Sequence, residues 1–246
     1  MRERTDKLKV CKLKIMADKL TPEELILKLL KEKTSLQLNV RKNMTDAFAL
    51  MKETLSDIAK SLSQKAGSVD KRINVSYKDK GEFEANLTIA EDVLVFYMQS
   101  NVYLFDQSHQ VWMNSYVKNN EGNAYCGMIS IYNFLSDSFT YNRANDAGYL
   151  IARIFVNHEM HYFLEGKRQL GFLYNDFANS ILDKKAITEI INSAIIYTLA
   201  FNLYVPPFDN VKEVSVSAME EETNRMQFQT GKRLGFRFSA DNDNVK

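Results

Sequence analysis

From about residue 73 to residue 174, strand-like segments follow one another with no helical segment between them, and this succession constrains the fold more than any other feature of the chain. Parallel neighbours need a crossover of a dozen or more residues, usually a helix, so strands met in this order form antiparallel meanders. Phe83, Ala85, Leu87 and Ile89 alternate with Glu84, Asn86 and Thr88, the pattern of a strand with one wet face. Segments 93–103, 125–134 and 149–156 are apolar on both parities, Arg153 excepted, as central strands are; Asn101 marks a bend in the first. Asn157-His158-Glu159 reads as a hairpin turn leading into a strand over 160–165, and 119–123 and 142–148 read as loops. The expected class is α+β, with a large, mostly antiparallel sheet of six to nine strands.

Helical signals flank this region. Thr21 can cap a helix, Pro22 suits its first position, and Glu23 and Glu24 favour the positive end of its dipole. The helix runs through Leu25, Leu29 and Leu30, with a pause near Thr34-Ser35 that leaves one long helix and a helix hairpin both open. Met44, Phe48, Met51, Leu55, Ile58 and Leu62 then recur in steps of three and four, the seam of a coiled coil. Such a stripe either docks on the protein's own sheet or pairs with a second copy, and the spacing does not separate the two. Gly67 stands where a left-handed cap would end the helix. A second long helix opens at Ser180 or Asp183, buries Ile187, Ile190, Ile191, Ala194, Ile195 and Leu199, and stops at Pro206-Pro207. Alternation at Val214, Val216, Ala218 and at Leu234, Phe236, Phe238 suggests two further strands. The expected division is a helical arm over 1–67, a sheet domain over 68–238 and a disordered tail over 239–246.

Charge narrows the partners. Lys plus Arg total 32 against 31 for Asp plus Glu, a net charge of +1, which weighs against a surface built for nucleic acid while leaving room for a local basic patch. Two cysteines without metal-ligand spacing, Cys11 and Cys126, point to a reduced, cytoplasmic setting. Charges interrupt residues 1–19 too often for a signal peptide, and polar residues interrupt 187–205 too often for a membrane span, so a soluble protein without a membrane partner is expected.

Few residues suggest chemistry. His158-Glu159-Met160-His161 resembles a zinc-protease signature only loosely, because the spacing is three rather than four and the setting is a hairpin. On a strand, positions three apart face opposite ways, so a shared metal would need a bend, with Asp106 and His109 as further ligands. Neither a metal nor a cofactor is expected. His158, Glu159 and His161 remain the candidates for acid–base work, since histidine as a residue type titrates near neutrality. Nucleophile elbows, phosphate loops and dinucleotide glycine motifs are absent, and Cys126 reads as an inert core residue. Gly166-Lys167-Arg168-Gln169-Leu170-Gly171 is echoed by Gly231-Lys232-Arg233-Leu234-Gly235. Lys167, Arg168, Lys232 and Arg233 could form an anion-binding rim, or simply protect strand edges.

Two functions follow as expectations. The first is a non-catalytic interaction or sensor protein that self-associates through its N-terminal helices, with Met44 to Leu62 as the interface. The alternative is an enzyme or binder for a phosphorylated or nucleic-acid ligand, using the Gly-Lys-Arg turns and the nearby histidines.

Overall fold

A computed structural model describes residues 21–141, 143, 146–167, 169–201, 208, 212, 213 and 215–217. The second Gly-Lys-Arg stretch with Lys232 and Arg233, the Leu234–Phe238 alternation, the tail over 239–246, and Arg168 all lie outside the described residues, as do Val214 and Ala218.

The chain opens with α1 (Pro22–Leu29), passes through a wider π-type stretch (Leu30–Thr34) and continues as α2 (Ser35–Val69). Thr21 and Glu24 form a reciprocal cap: the Thr21 hydroxyl accepts from Glu24 N–H at 3.3 Å, and the Glu24 carboxylate accepts from Thr21 N–H at 2.8 Å. The pause near Thr34 is therefore a local widening of one long helix, not the corner of a hairpin. Gly67 does not end it either. The helix runs to Val69, and Asp70 leaves in extended backbone while its N–H still donates to Ala66. With Gly67 helical, no left-handed cap forms.

Among the described residues seven strands follow: β1 (Val75–Asp79), β2 (Glu84–Ile89), β3 (Asp92–Met98), β4 (Tyr103–Leu104), β5 (Tyr125–Leu135), β6 (Tyr149–Asn157) and β7 (Tyr162–Gly166). Every pairing is antiparallel, in the order β1-β2-β3-β5-β6-β7. β4 pairs with β5 beyond the end of β3, so segment 93–103 is one strand lane broken by a bend around Asn101. Short helical pieces that the sequence pattern did not reveal fill two connections: α3 (Ser115–Asn119) before β5 and α4 (Ser136–Thr140) after it. Past β7 come α5 (Gln169–Leu173) and α6 (Lys184–Leu199).

One face of the sheet carries Leu87, Phe96, Ile129, Ile131, Ile154 and Leu164, and α2 and α6 cover it. This settles the fate of the helical stripe. Met44, Phe48, Met51 and Leu55 are buried in this core, and Ile58 and Leu62 pack against it. A broad apolar sheet face has to be covered, and the stripe supplies the cover, so the four buried side chains serve the chain's own core, with Ile58 and Leu62 at its margin. Asp183 caps α6 by accepting from Ala186 N–H at 2.7 Å. Its buried face matches the expected one except at Leu199, which is exposed. On the opposite sheet face, at the β5–β7 end, Val111, Val117, Cys126, Phe155, Phe163 and Phe177 make a smaller cluster under segment 105–124. No helix among the described residues is long and apolar enough to cross a membrane.

Candidate functional site

Strand register places charged residues on this second face. Tyr97, Ser130, Arg153 and Glu165 stand opposite one another across β3, β5, β6 and β7. Arg153 and Glu165 are thus direct cross-strand neighbours and form an ion pair. The segment after β4 then brings a third partner over the strands. His109 Nε2 lies 2.8 Å from Glu165 Oε1, and its Nδ1 accepts from Val111 N–H at 3.1 Å.

These contacts define the histidine's chemistry. Because Nδ1 accepts, the proton of the neutral ring sits on Nε2 and is donated to Glu165. His109 is also the cap of a short 3₁₀ turn, Gln110–Met113, and Phe105 stacks on its ring at 4.5 Å between centroids. The segment braces itself further: Asp106 accepts from the Ser108 hydroxyl at 2.7 Å, and the Trp112 indole donates to the Asp106 carbonyl at 2.9 Å. Both nitrogens of His109 are engaged, Nε2 with Glu165 and Nδ1 with Val111 N–H, so this ring positions Glu165.

A cavity of about 1210 Å³ opens beside this arrangement. Its wall includes His109, Glu165, Phe163 and Phe177, with the amides of Gln110, Asn114 and Asn175 and the backbone of Gly166 and Gly171. The aromatic rings offer an apolar floor, and the amides offer donors and acceptors at the edge, a mixture typical of small-molecule sites. Gly166 and Gly171 border the same cavity, and Lys167 follows Gly166 in the chain. The turn is tight: Lys167 N–H donates to the Ile151 carbonyl at 3.0 Å, and a Cβ on Gly171 would lie 2.5 Å from the Gly166 carbonyl oxygen.

The sequence candidates His158, Glu159 and His161 stand elsewhere. The hairpin turn forms as expected, with Met160 in left-handed backbone at φ 63°. Asn157 organises it: its side-chain Oδ1 accepts from Glu159 N–H at 2.9 Å and His161 N–H at 3.0 Å, while its side-chain Nδ2 donates to the Tyr116 hydroxyl at 2.9 Å. The Tyr116 hydroxyl also bonds the Glu159 carboxylate. Burial, and then that carboxylate, push the Tyr116 phenol well above its ordinary value, so it stays protonated. His161 stacks on Tyr116 at 4.9 Å and uses Nδ1 on the Phe177 carbonyl at 3.0 Å. Asn43 ties the turn to α2 by donating to the Asn157 and His158 carbonyls at 3.2 and 2.8 Å.

β7 separates the two groups. His161 precedes the strand and Lys167 follows it, six residues on, so they stand roughly 20 Å apart at the usual strand rise. The histidines of the turn and the cation of the Gly-Lys turn do not converge; the residues that meet at the Gly-Lys end are His109, Arg153 and Glu165. Asp106 and His109, considered as further ligands for a metal, are engaged with Ser108 and with Glu165 and Val111. Among the described residues, no group of three or more His, Cys, Asp or Glu stands where it could hold a metal ion. Cys126 is buried, and burial raises its thiol far above the ordinary value.

Comparison with protein-family models, curated proteins and solved structures returned no match.

Proposed function

We propose that this chain is a non-catalytic cytoplasmic binding protein, a sensor or carrier, that takes a small anionic ligand into the cavity between segment 106–114 and the Gly166–Gly171 turn. One observation carries the reading. His109 and Glu165 on the cavity wall already satisfy each other, while Gln110, Asn114, Asn175, Gly166 and Gly171 line the space beside them. A wall so arranged can hold and orient a ligand without supplying a base. Lys167 follows Gly166 of the cavity wall and brings a cation to that end of the site, of the kind suited to a phosphate or carboxylate, and the Phe163 and Phe177 rings offer a surface for an apolar body.

Native mass spectrometry of gently purified, untagged protein tests this directly. The expected result is a small-molecule excess over the 28.4 kDa chain. A panel of phosphorylated and carboxylated metabolites should likewise raise the melting temperature, by about 2.7 kcal/mol of added stability at a hundredfold excess over Kd. Lys167→Glu should abolish that rise without unfolding the protein. A bare chain that no member of the panel stabilises would dispose of the proposal.

A further inference from the structure

The helix that covers the sheet is longer than the sheet requires. Its buried face begins at Val40, and Leu36 reaches the segment before β5, where its Cδ1 lies 3.4 Å from the position a Cβ on Gly122 would take. From Pro22 to Thr34 no residue is buried. That stretch spans four turns, roughly 20 Å at the helical rise. It is nonetheless rich in apolar side chains: Ile26, Leu27, Leu29 and Leu30 are 57%, 59%, 42% and 50% exposed. Ile26, Leu29 and Leu30 fall at the three- and four-residue spacing of one helical face, and that face stands exposed.

Charge along this arm is uneven in a way that selects a partner. Glu23 and Glu24 stand at its start, and Lys31 and Lys33 at its root. Lys28 and Glu32 pair within the helix at 3.9 Å, whereas Lys31 and Lys33 form no ion pair among the described residues. Two arms side by side in the same direction would set Glu against Glu and Lys against Lys. Two arms running in opposite directions set each acidic start against the other's basic root, with the leucine faces between them. Such a pairing is two-fold symmetric and closed. We infer that residues 22–35 form a self-association arm, and that two copies of this chain dimerise through it in antiparallel fashion. Two four-turn arms bury less than the roughly 1,200 Å² of a standard interface, so the dimer is weak and depends on protein concentration.

The full chain, followed by sedimentation velocity over a wide concentration range, tests the inference. The expected result is a shift from monomer to dimer as concentration rises. Ile26→Glu with Leu30→Glu should hold the protein monomeric at every concentration and leave its melting temperature unchanged, because neither residue supports the core. Lys31→Glu with Lys33→Glu should also be monomeric alone, and should form a mixed dimer when combined with a Glu23→Lys copy. A wild-type chain that stays monomeric throughout would overturn the inference, since the arm would then be covered by the chain itself or serve a different partner. A dimer that survives both sets of substitutions would overturn it too.

Discussion

His109 Nε2 and Glu165 Oε1 meet at 2.8 Å although 56 residues separate them in the chain, and the contact ties segment 105–124 to the strands it overlies. Glu165 receives Arg153 on its other oxygen, so one carboxylate anchors a loop and a neighbouring strand together. Around this junction Phe105, Phe155 and Phe163 pack with ring centroids 4.9 to 5.6 Å apart, which keeps the small second core closed beneath the histidine.

Glu165→Gln should therefore weaken the fold modestly. The amide oxygen can still accept from His109, but the attraction to Arg153 is lost. Both side chains of that ion pair are about a third or more exposed, so the expected cost is about 1 kcal/mol. Glu165→Ala removes the acceptor as well and should cost about 1–3 kcal/mol. Urea unfolding of the two variants against wild type measures both. Equal stability of all three would mean that the junction does not hold the segment.

The helical stripe leads to a larger effect. Phe48 and Leu55 are fully buried between α2 and the sheet. Phe48→Ala should cost about 3–5 kcal/mol and Leu55→Ala about 2–5 kcal/mol, each through lost burial and a residual cavity. Chemical denaturation read by far-ultraviolet circular dichroism would show the shifted midpoints. Unchanged midpoints would mean that the stripe is not docked on the sheet.

Much of this architecture was legible because burial imposes periodicity. The alternation of Ala85, Leu87 and Ile89, the stripe from Met44 to Leu62, the Thr21–Glu24 cap and the antiparallel succession each reflect a local rule that the fold obeys. What the pattern left open was the choice between two apolar surfaces for the stripe, since a sheet face and a second helix make the same demand on spacing. The site was less legible. His109, Arg153 and Glu165 come from three segments, and only strand register and the path of the 105–124 segment bring them together. Arg153 alone hinted at it, as the one charge in an otherwise apolar strand. The weight placed on His158 and His161 came from their closeness in sequence, whereas proximity in space is set by β7, which carries His161 away from Lys167.

The Gly166–Gly171 turn is a place where a single methyl group should matter. A Cβ on Gly171 would lie 2.5 Å from the Gly166 carbonyl oxygen, closer than real contacts allow, and the obstacle is backbone. Gly171→Ala should then force the turn open, lower stability by about 1–3 kcal/mol, and change the rim of the cavity. Gly67→Ala is the natural comparison, because nothing lies within 4 Å of the added carbon there and the position is helical. That variant should be stabilised by about 0.5–1 kcal/mol. Thermal melts of the pair should move in opposite directions; a shared direction would contradict the packing described.

Alkaline pH should unfold the protein through its buried phenols. Tyr162 is 5% exposed, and burial, reinforced by Tyr174, Glu189 and Asp183, lifts its phenol from 10.0 to about 12. The folded state thus favours the neutral ring, while the unfolded chain ionises at the ordinary value. The stabilising contribution is fully present below pH 10.0 and is lost as the pH rises through about 12. Burial also raises Tyr77, Tyr116 and Tyr125, so several phenols act in the same direction. Tyr162→Phe removes the ionisable group and keeps the ring in the core. Its stability should fall less steeply than wild type across this window and match the wild-type slope at neutral pH. Urea midpoints measured at a series of pH values would show the difference. Identical slopes in the alkaline window would mean that Tyr162 ionises as freely in the fold as in the open chain.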